Sequence, residues 1–374
     1  MNHDRSVRPV PSLDVPLTFT FVGFFHEPAM ARLAQGLRRT FERHGHRYVT
    51  RGGDLRLAFN FVDPLRLVPY RRKGKATFAV SVALSDRRPE DVLKQAYPIL
   101  IRSLANLCIY LVREGDRLDT YFVTLEQGCY RVPDLPEEEY FEELYRRLLP
   151  LATSELVIDN EFVPDLPPHL WDGDEFTRQL SEAGKRLDAL GLLPAPFPIQ
   201  ELLPPADFRH LQRLFGLGGL SYGNLSVRRD ATSFWMSASG VDKANMRRVG
   251  EDMLLVTGFD PHRRVMRLSV PPTVKPRRVS VDAIEHWMIY TEHPTVGAIV
   301  HVHAWMAGVP STTVNYPCGT LQLAQAVADL VRAAPDPAAA VVGLRNHGLT
   351  ITGRTLDDIF DRLEARFIRQ VPMS

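Results

Sequence analysis

The chain has 374 residues, 45% hydrophobic and 24% charged, enough length and apolar content for two packed cores. Its 45 Lys and Arg against 44 Asp and Glu leave a formal net charge of +1, so bulk charge speaks against a nucleic-acid or anionic-membrane surface. The three cysteines, Cys108, Cys129 and Cys318, are far apart and form no CxxC pair, which argues against a disulfide framework and against a cysteine zinc cluster.

Residues 1–16 are charged and Pro-rich and read as a disordered tail without an apolar signal core. No apolar run approaches the ~18 residues of a membrane span, so a cytoplasmic protein with no membrane partner is expected. Residues 17–158 read as an N-terminal α+β domain of unknown function. "LTFTFVGFF" (17–25) alternates like a strand. A helix follows, with Pro28 in its first turn, Met30, Leu33, Leu37 and Phe41 as its apolar stripe and Gly45 as its stop. Strands are expected at 55–62 and 76–84, one long helix at 89–113 with Pro98 inside it, a strand at 120–125, and the acidic helix "EEEYFEELYRRLL". This order predicts a ferredoxin-like split βαβ domain. "RRKGK" (71–75) reads as a solvated turn, and the scattered His26, His44 and His46 as surface or capping residues.

Residues 159–173 carry Pro164, Pro167 and Pro168 and read as a linker. A second domain spans 174–374. It opens on a helix striped by Phe176, Leu180, Ala183, Leu187 and Leu190. Short strands follow ("LSVR", "FWMSAS", "DMLLVTGFD", "RVMRLSV"), then a helix over about 282–292. The stretch "GAIVHVHAWMAGVP" (297–310) comes next, then the helix "LQLAQAVADLVRAA" and a strand over "AAVVGLRNHGLTITG" (339–353). The last helix is "TLDDIFDRLEARFIRQ", with Thr355 and Asp358 as a capping pair.

Two titratable rings in an apolar strand need a reason. Residues i and i+2 share a strand face, so His301 and His303 project together, close enough to share one metal ion. Two histidines are an incomplete site, because a catalytic zinc takes about three protein ligands. His347, at the mouth of a strand and before Gly348, is the candidate third. His286, on the preceding helix, is given a structural role or one supporting the ligands. Asp282 begins that helix and is either its cap or a catalytic carboxylate, with Glu285 one turn later as the alternative. "YGNLSVR" and "MSASGVD" place Asn, Ser and Gly at turns whose backbone N–H groups suit an anion.

In this order, "GNLSVR", "SASGVD", "DMLLV", "SVDAIEHWMIYTEHPTVGAIVHVHA", "CGTLQLA" and "NHGLTITG" resemble the class II aldolase/adducin family, over roughly residues 176–369. The resemblance implies an α/β/α domain around a largely antiparallel sheet and a homo-oligomer, a tetramer in many members. It implies a divalent metal, zinc first with Mn2+ or Fe2+ as alternatives, on His301, His303 and His347. Asp282 takes the acidic position before them, which is Glu in aldolases and Asp in the epimerase branch. Asn224, Ser239, Gly240 and Ser280 take the phosphate-binding positions.

The function this implies is that of a lyase of the aldehyde-lyase type, acting on a sugar or sugar-acid substrate through a metal-stabilised enediolate. Alternatives are an epimerase, a non-catalytic adducin-like assembly protein, and an Fe(II)-dependent oxygenase or decarboxylase on the same site. The chain departs from the family in having Val281 where a second serine is usual, and a short segment between His303 and Gly319.

Overall fold

The computed structural model describes residues 16–373 except 25, 51–54, 73–76, 116, 126, 195–196, 216–221 and 364–365. Residues 1–15 of the expected tail (1–16) and most of the "RRKGK" turn therefore lie outside the described residues.

The N-terminal half is an α/β unit on one seven-stranded sheet. Its strands are β1 (Thr18–Gly23), β2 (Arg47–Tyr48), β3 (Leu57–Phe61), β4 (Phe78–Ser85), β5 (Leu107–Glu114), β6 (Arg117–Thr124) and β7 (Gly128–Arg131), in the order β2-β1-β3-β4-β5-β6-β7. Its helices are α1 (Pro28–Arg43), α2 (Val92–Arg102) and α3 (Glu137–Thr153). β2, β1, β3, β4 and β5 pair in parallel; β5, β6 and β7 form an antiparallel meander.

The ferredoxin-like arrangement does not form, and the reason lies in burial. β3 is buried throughout and β4 and β5 nearly so. Phe59, Val80, Val82 and Ile109 pack with α1 and α3, while Ala83, Cys108, Tyr110 and Val112 pack with α2 on the other face. Strands apolar on both faces make a doubly covered parallel sheet. The long helix expected at 89–113 is likewise corrected: α2 stops at Arg102, Leu104 adopts φ 55°, and β5 begins at Leu107. A continuous apolar run has no period that separates strand from helix.

The C-terminal half is built on an eight-stranded sheet, ordered β14-β15-β13-β9-β10-β11-β12-β8. The strands are β8 (Asp159–Val163), β9 (Asn224–Arg228), β10 (Phe234–Ser237), β11 (Met253–Asp260), β12 (Val265–Ser269), β13 (Ala298–Val302), β14 (Val341–Leu344) and β15 (Gly348–Gly353). Only β8 and β12 pair in parallel, so the sheet is largely antiparallel. Part of the expected linker is thus a strand: β8 ends at Val163, just before Pro164, so every residue of it keeps its backbone N–H. The expected single strand at 339–353 is a hairpin, turned at Arg345–His347 with Asn346 at φ 58°.

The helices of this half are α4 (Glu175–Ala189), α5 (Ile199–Leu202), α6 (Pro205–Phe215), α7 (Ala283–Glu292), α8 (Leu321–Ala333) and α9 (Leu356–Leu363). Phe234 packs on Trp287 and Tyr290 of α7, while the next residue, Trp235, donates its indole N–H to Asp174 at the cap of α4. Adjacent strand residues face opposite sides, so α7 and α4 cover opposite faces. α8 packs with α7 and α9 with α4, which completes an α/β/α sandwich. No described helix is long and apolar enough to cross a membrane.

The halves meet beside this sheet. Phe197, Leu202, Leu211 and Tyr222 pack with Ala96, Tyr97 and Leu100 of α2. Asn315, between β13 and α8, accepts a hydrogen bond from Gln127 at 2.8 Å and donates one back at 3.0 Å.

Candidate metal centre

Strand register places the site. His301 of β13 pairs with Asn224 of β9 on one side and Thr350 of β15 on the other, so the three stand in one row across the sheet. Asp282 stands at the start of α7 on the same face: Asn224 Nδ2 donates to Asp282 Oδ2 at 2.7 Å. Asp282 is buried and makes no side-chain cap bond to its helix, so the capping explanation does not hold.

The third histidine arrives through the hairpin. The αL backbone of Asn346 turns the chain, and His347 precedes Gly348 at the head of β15. A Cβ on Gly348 would lie 2.2 Å from the carbonyl oxygen of Val302, so only glycine lets β15 approach β13 this closely. His347 Nε2 then stands 3.0 Å from His303 Nε2, and one ring nitrogen each of His301, His303 and His347 lies within 4.8 Å of the others.

These rings suit a cation. His301 Nδ1 donates to Leu349 O at 3.0 Å, which fixes the tautomer and leaves Nε2 with a lone pair; that buried atom has no hydrogen-bond partner. Burial lowers the pKa of His301 and pushes those of His303 and His347 well below the ordinary imidazole value. Three neutral imidazoles, two of them with an orphaned buried nitrogen (His301 Nε2 and His303 Nδ1), form the donor set a divalent metal requires.

A cleft of about 90 Å³ opens over the histidines. Asn224, Ser239, Gly240, Ser280 and Asp282 all line it, so the residues singled out in the sequence converge, His286 and the alternative carboxylate Glu285 excepted. His286 sits fully buried under the sheet. Its Nδ1 lies 2.7 Å from Ser226 Oγ, which lies 2.8 Å from the Tyr290 hydroxyl, and burial drives its pKa down to about 3. It braces α7 on β9; the support of His301 comes from Leu349. Glu285 is outside the cleft, accepts a hydrogen bond from Thr350 Oγ1 at 2.5 Å, and is pushed up to about 8 by burial with the charge of Asp282 adding.

Three cleft residues were not anticipated. Lys243 is 2% exposed, lines the wall, and has its pKa lowered to about 8 by burial against the opposing pull of Asp242 and Asp282. Tyr222 lies edge-on to His303, with ring centroids 5.3 Å apart. Cys318 Sγ lies 3.2 Å from His347 Nδ1. Lys243 follows the "SGVD" turn closely enough to have been suspected. Cys318 carries no spacing signal, because its partners come from other strands.

Residues 206–314 match the model of the class II aldolase and adducin N-terminal domain. The methylthioribulose-1-phosphate dehydratase of Citrobacter koseri is 36% identical over 95 residues, covering 25% of this chain and 41% of that protein. The protein of the same name from Pectobacterium carotovorum is 35% identical over 89 residues, 24% of this chain and 38% of its own. The match thus spans about two fifths of these curated relatives. Among solved structures, the L-fuculose-1-phosphate aldolase of Thermus thermophilus aligns at 20% identity and a TM-score of 0.33, over 51% of this chain and 89% of that one. The similarity to the class II aldolase and adducin N-terminal domain thus lies at residues 206–314 of the chain.

Proposed function

We propose that this protein is a metal-dependent lyase of a sugar-like hydroxy-carbonyl compound, with the ion held by His301, His303 and His347. The observation that carries the reading is the convergence of three neutral imidazoles, two buried and one half-buried, beside a carboxylate that caps nothing. A divalent ion there supplies a Lewis acid for the negative charge that develops on the substrate's oxygens. Asp282, oriented by Asn224, takes the proton: from a hydroxyl where a carbon–carbon bond is cleaved, from carbon where water is eliminated. Ser239, Gly240 and Ser280 with the Lys243 ammonium offer donors and a positive charge to an anionic end of the substrate. The lysine supplies a charge that the lone serine at 280 does not.

Aldehyde-lyase chemistry is the first form of this reading. Elimination of water is the second, favoured by the dehydratase name of the two relatives. A homo-oligomer belongs to the same proposal.

The test loads the full chain with Zn2+, Mn2+ or Fe2+ and measures metal by elemental analysis, wild type beside His301→Ala. NMR then follows free and phosphorylated hydroxy-carbonyl compounds. The expected result is near-stoichiometric metal in the wild type, loss in the variant, and consumption of one compound class. Absence of metal after reloading, with no compound consumed, would sink the reading in favour of an assembly protein; oxygen uptake with Fe2+ would redirect it to an oxygenase.

A further inference from the structure

Two features of this chain have no part in the proposed mechanism: the N-terminal half, and the short segment between His303 and Gly319. They meet beside the metal centre. Gln127 stands in the turn between β6 and β7, where its backbone N–H donates to Thr124 Oγ1 at 3.1 Å. Its side-chain amide exchanges two hydrogen bonds with that of Asn315, at 2.8 and 3.0 Å. Asn315 also donates to the hydroxyl of Tyr130, a buried residue of β7, at 3.4 Å. The turn itself is seated on the C-terminal half, since a Cβ on Gly128 would stand 3.1 Å from the ring of Phe197.

From Asn315 the chain reaches His347 in both directions. Upstream, Thr312 Oγ1 accepts the backbone N–H of Arg345 at 3.0 Å, and Thr313 O accepts from the Arg345 guanidinium at 2.6 Å. Arg345 opens the turn of the β14–β15 hairpin, two residues before His347. Downstream, Cys318 Sγ rests against the His347 ring, 3.2 and 3.4 Å from its two nitrogens. Residues 312–318 belong to no strand or helix, so contacts such as these set their place. A further wall residue of the cleft leans on the same half. Tyr222, with its ring 5.3 Å from that of His303, packs in the cluster that holds Ala96, Tyr97 and Leu100 of α2.

We propose that Gln127 is a positioning residue for the metal centre: through Asn315 it holds the loop that braces His347, so the N-terminal half sets the place of the third ligand. The inference rests on the metal-site reading above and extends it to a residue outside the cleft. The amide pair suits this task because each partner both donates and accepts, which fixes distance and orientation together. Removing one amide leaves the other's donor and acceptor unpaired, and the loop must shift to satisfy them. A metal site tolerates only about 0.5 Å of ligand displacement, so a small shift is felt.

The experiment measures Zn2+ affinity by chelator competition, the visible Co2+ spectrum and thermal melting on full-length chains. Gln127→Ala and the volume-keeping Gln127→Met should both bind Zn2+ ~10-fold more weakly, the low end for losing a group that orients a ligand, with altered Co2+ bands. The exchanged pair, Gln127→Asn with Asn315→Gln, should recover both readouts. Arg88 pairs with Glu114 and Asp119 on the same N-terminal sheet. Arg88→Gln should lower the melting temperature and leave both metal readouts unchanged. Wild-type affinity in the Gln127 variants, an exchanged pair no tighter than they are, or an equal loss in Arg88→Gln would overturn the positioning role and leave the histidine site standing. A wild type that takes up neither ion would overturn both.

Discussion

Gly348→Ala tests whether backbone approach sets the ligand spacing. The added methyl would lie 2.2 Å from Val302 O and 3.1 Å from His303 Cα, whereas ordinary contact begins at 3.4 Å. The obstructing atoms are backbone on both sides, so no side chain can yield, and β15 must part from β13 by about 1.2 Å. His303 and His347 project from the two sides of this contact, with their Nε2 atoms 3.0 Å apart. A metal site tolerates ligand displacements of only about 0.5 Å. The fold should survive with a loss of about 1–3 kcal/mol, the usual cost of overpacking. Zn2+ affinity should fall ~10–100-fold. Thermal melting and Zn2+ competition against a chromophoric chelator measure the two effects. Gly258→Ala is the control, since its methyl would meet only the Arg267 side chain, at 3.5 Å, and both quantities should stay near wild type. If Gly348→Ala binds Zn2+ as tightly as the wild type, strand approach does not set the spacing and the reasoning fails.

Asp282→Asn should keep its metal while turnover drops ~10²–10⁴-fold, the usual contribution of a positioned acid–base group; an unchanged kcat would remove Asp282 from the chemistry. Lys243→Met should weaken competition by inorganic phosphate about tenfold, near the lower end for a hydrogen bond to a charged group, and equal inhibition constants would refute the anion role. His286 gives a pH prediction. Burial holds its folded pKa at about 3 against an ordinary 6.5, so the unfolded chain takes up a proton that the folded one refuses. Its contribution is full above pH 6.5 and is lost on acidification by up to about 1.4 kcal/mol per pH unit. Metal-free His286→Gln should therefore lose stability less steeply than the wild type between about pH 6.5 and 5, read by circular dichroism melts; parallel slopes would contradict this.

What the sequence determined by itself is local. The two-residue spacing of His301 and His303 predicted that the rings converge, because side-chain direction alternates along a strand, and they do so with centroids 5.1 Å apart although β13 ends at Val302 and His303 follows it. Pro28, the stripe of α1 and the pairing of Asp358 N–H with Thr355 Oγ1 are set by neighbours within a turn or two. Motif order was enough to identify the C-terminal fold. The tertiary structure decided what depends on partners far along the chain. Residues 107–112 could have continued a helix; burial between two helical layers made them the strand β5. Asp159–Val163 became an edge strand because β12 offered it a ladder. His286, though near the ligands in sequence, turned to Ser226 and Tyr290, while Leu349 took the supporting place at His301. Lys243, next to the "SGVD" turn, and Cys318, at the head of "CGTLQLA", enter the cleft beside motifs the sequence displays, but their place in it depends on partners from other strands. Periodicity reports which face a residue occupies, whereas a site made by register, close strand approach and a pinned loop exists only once those distant contacts have formed.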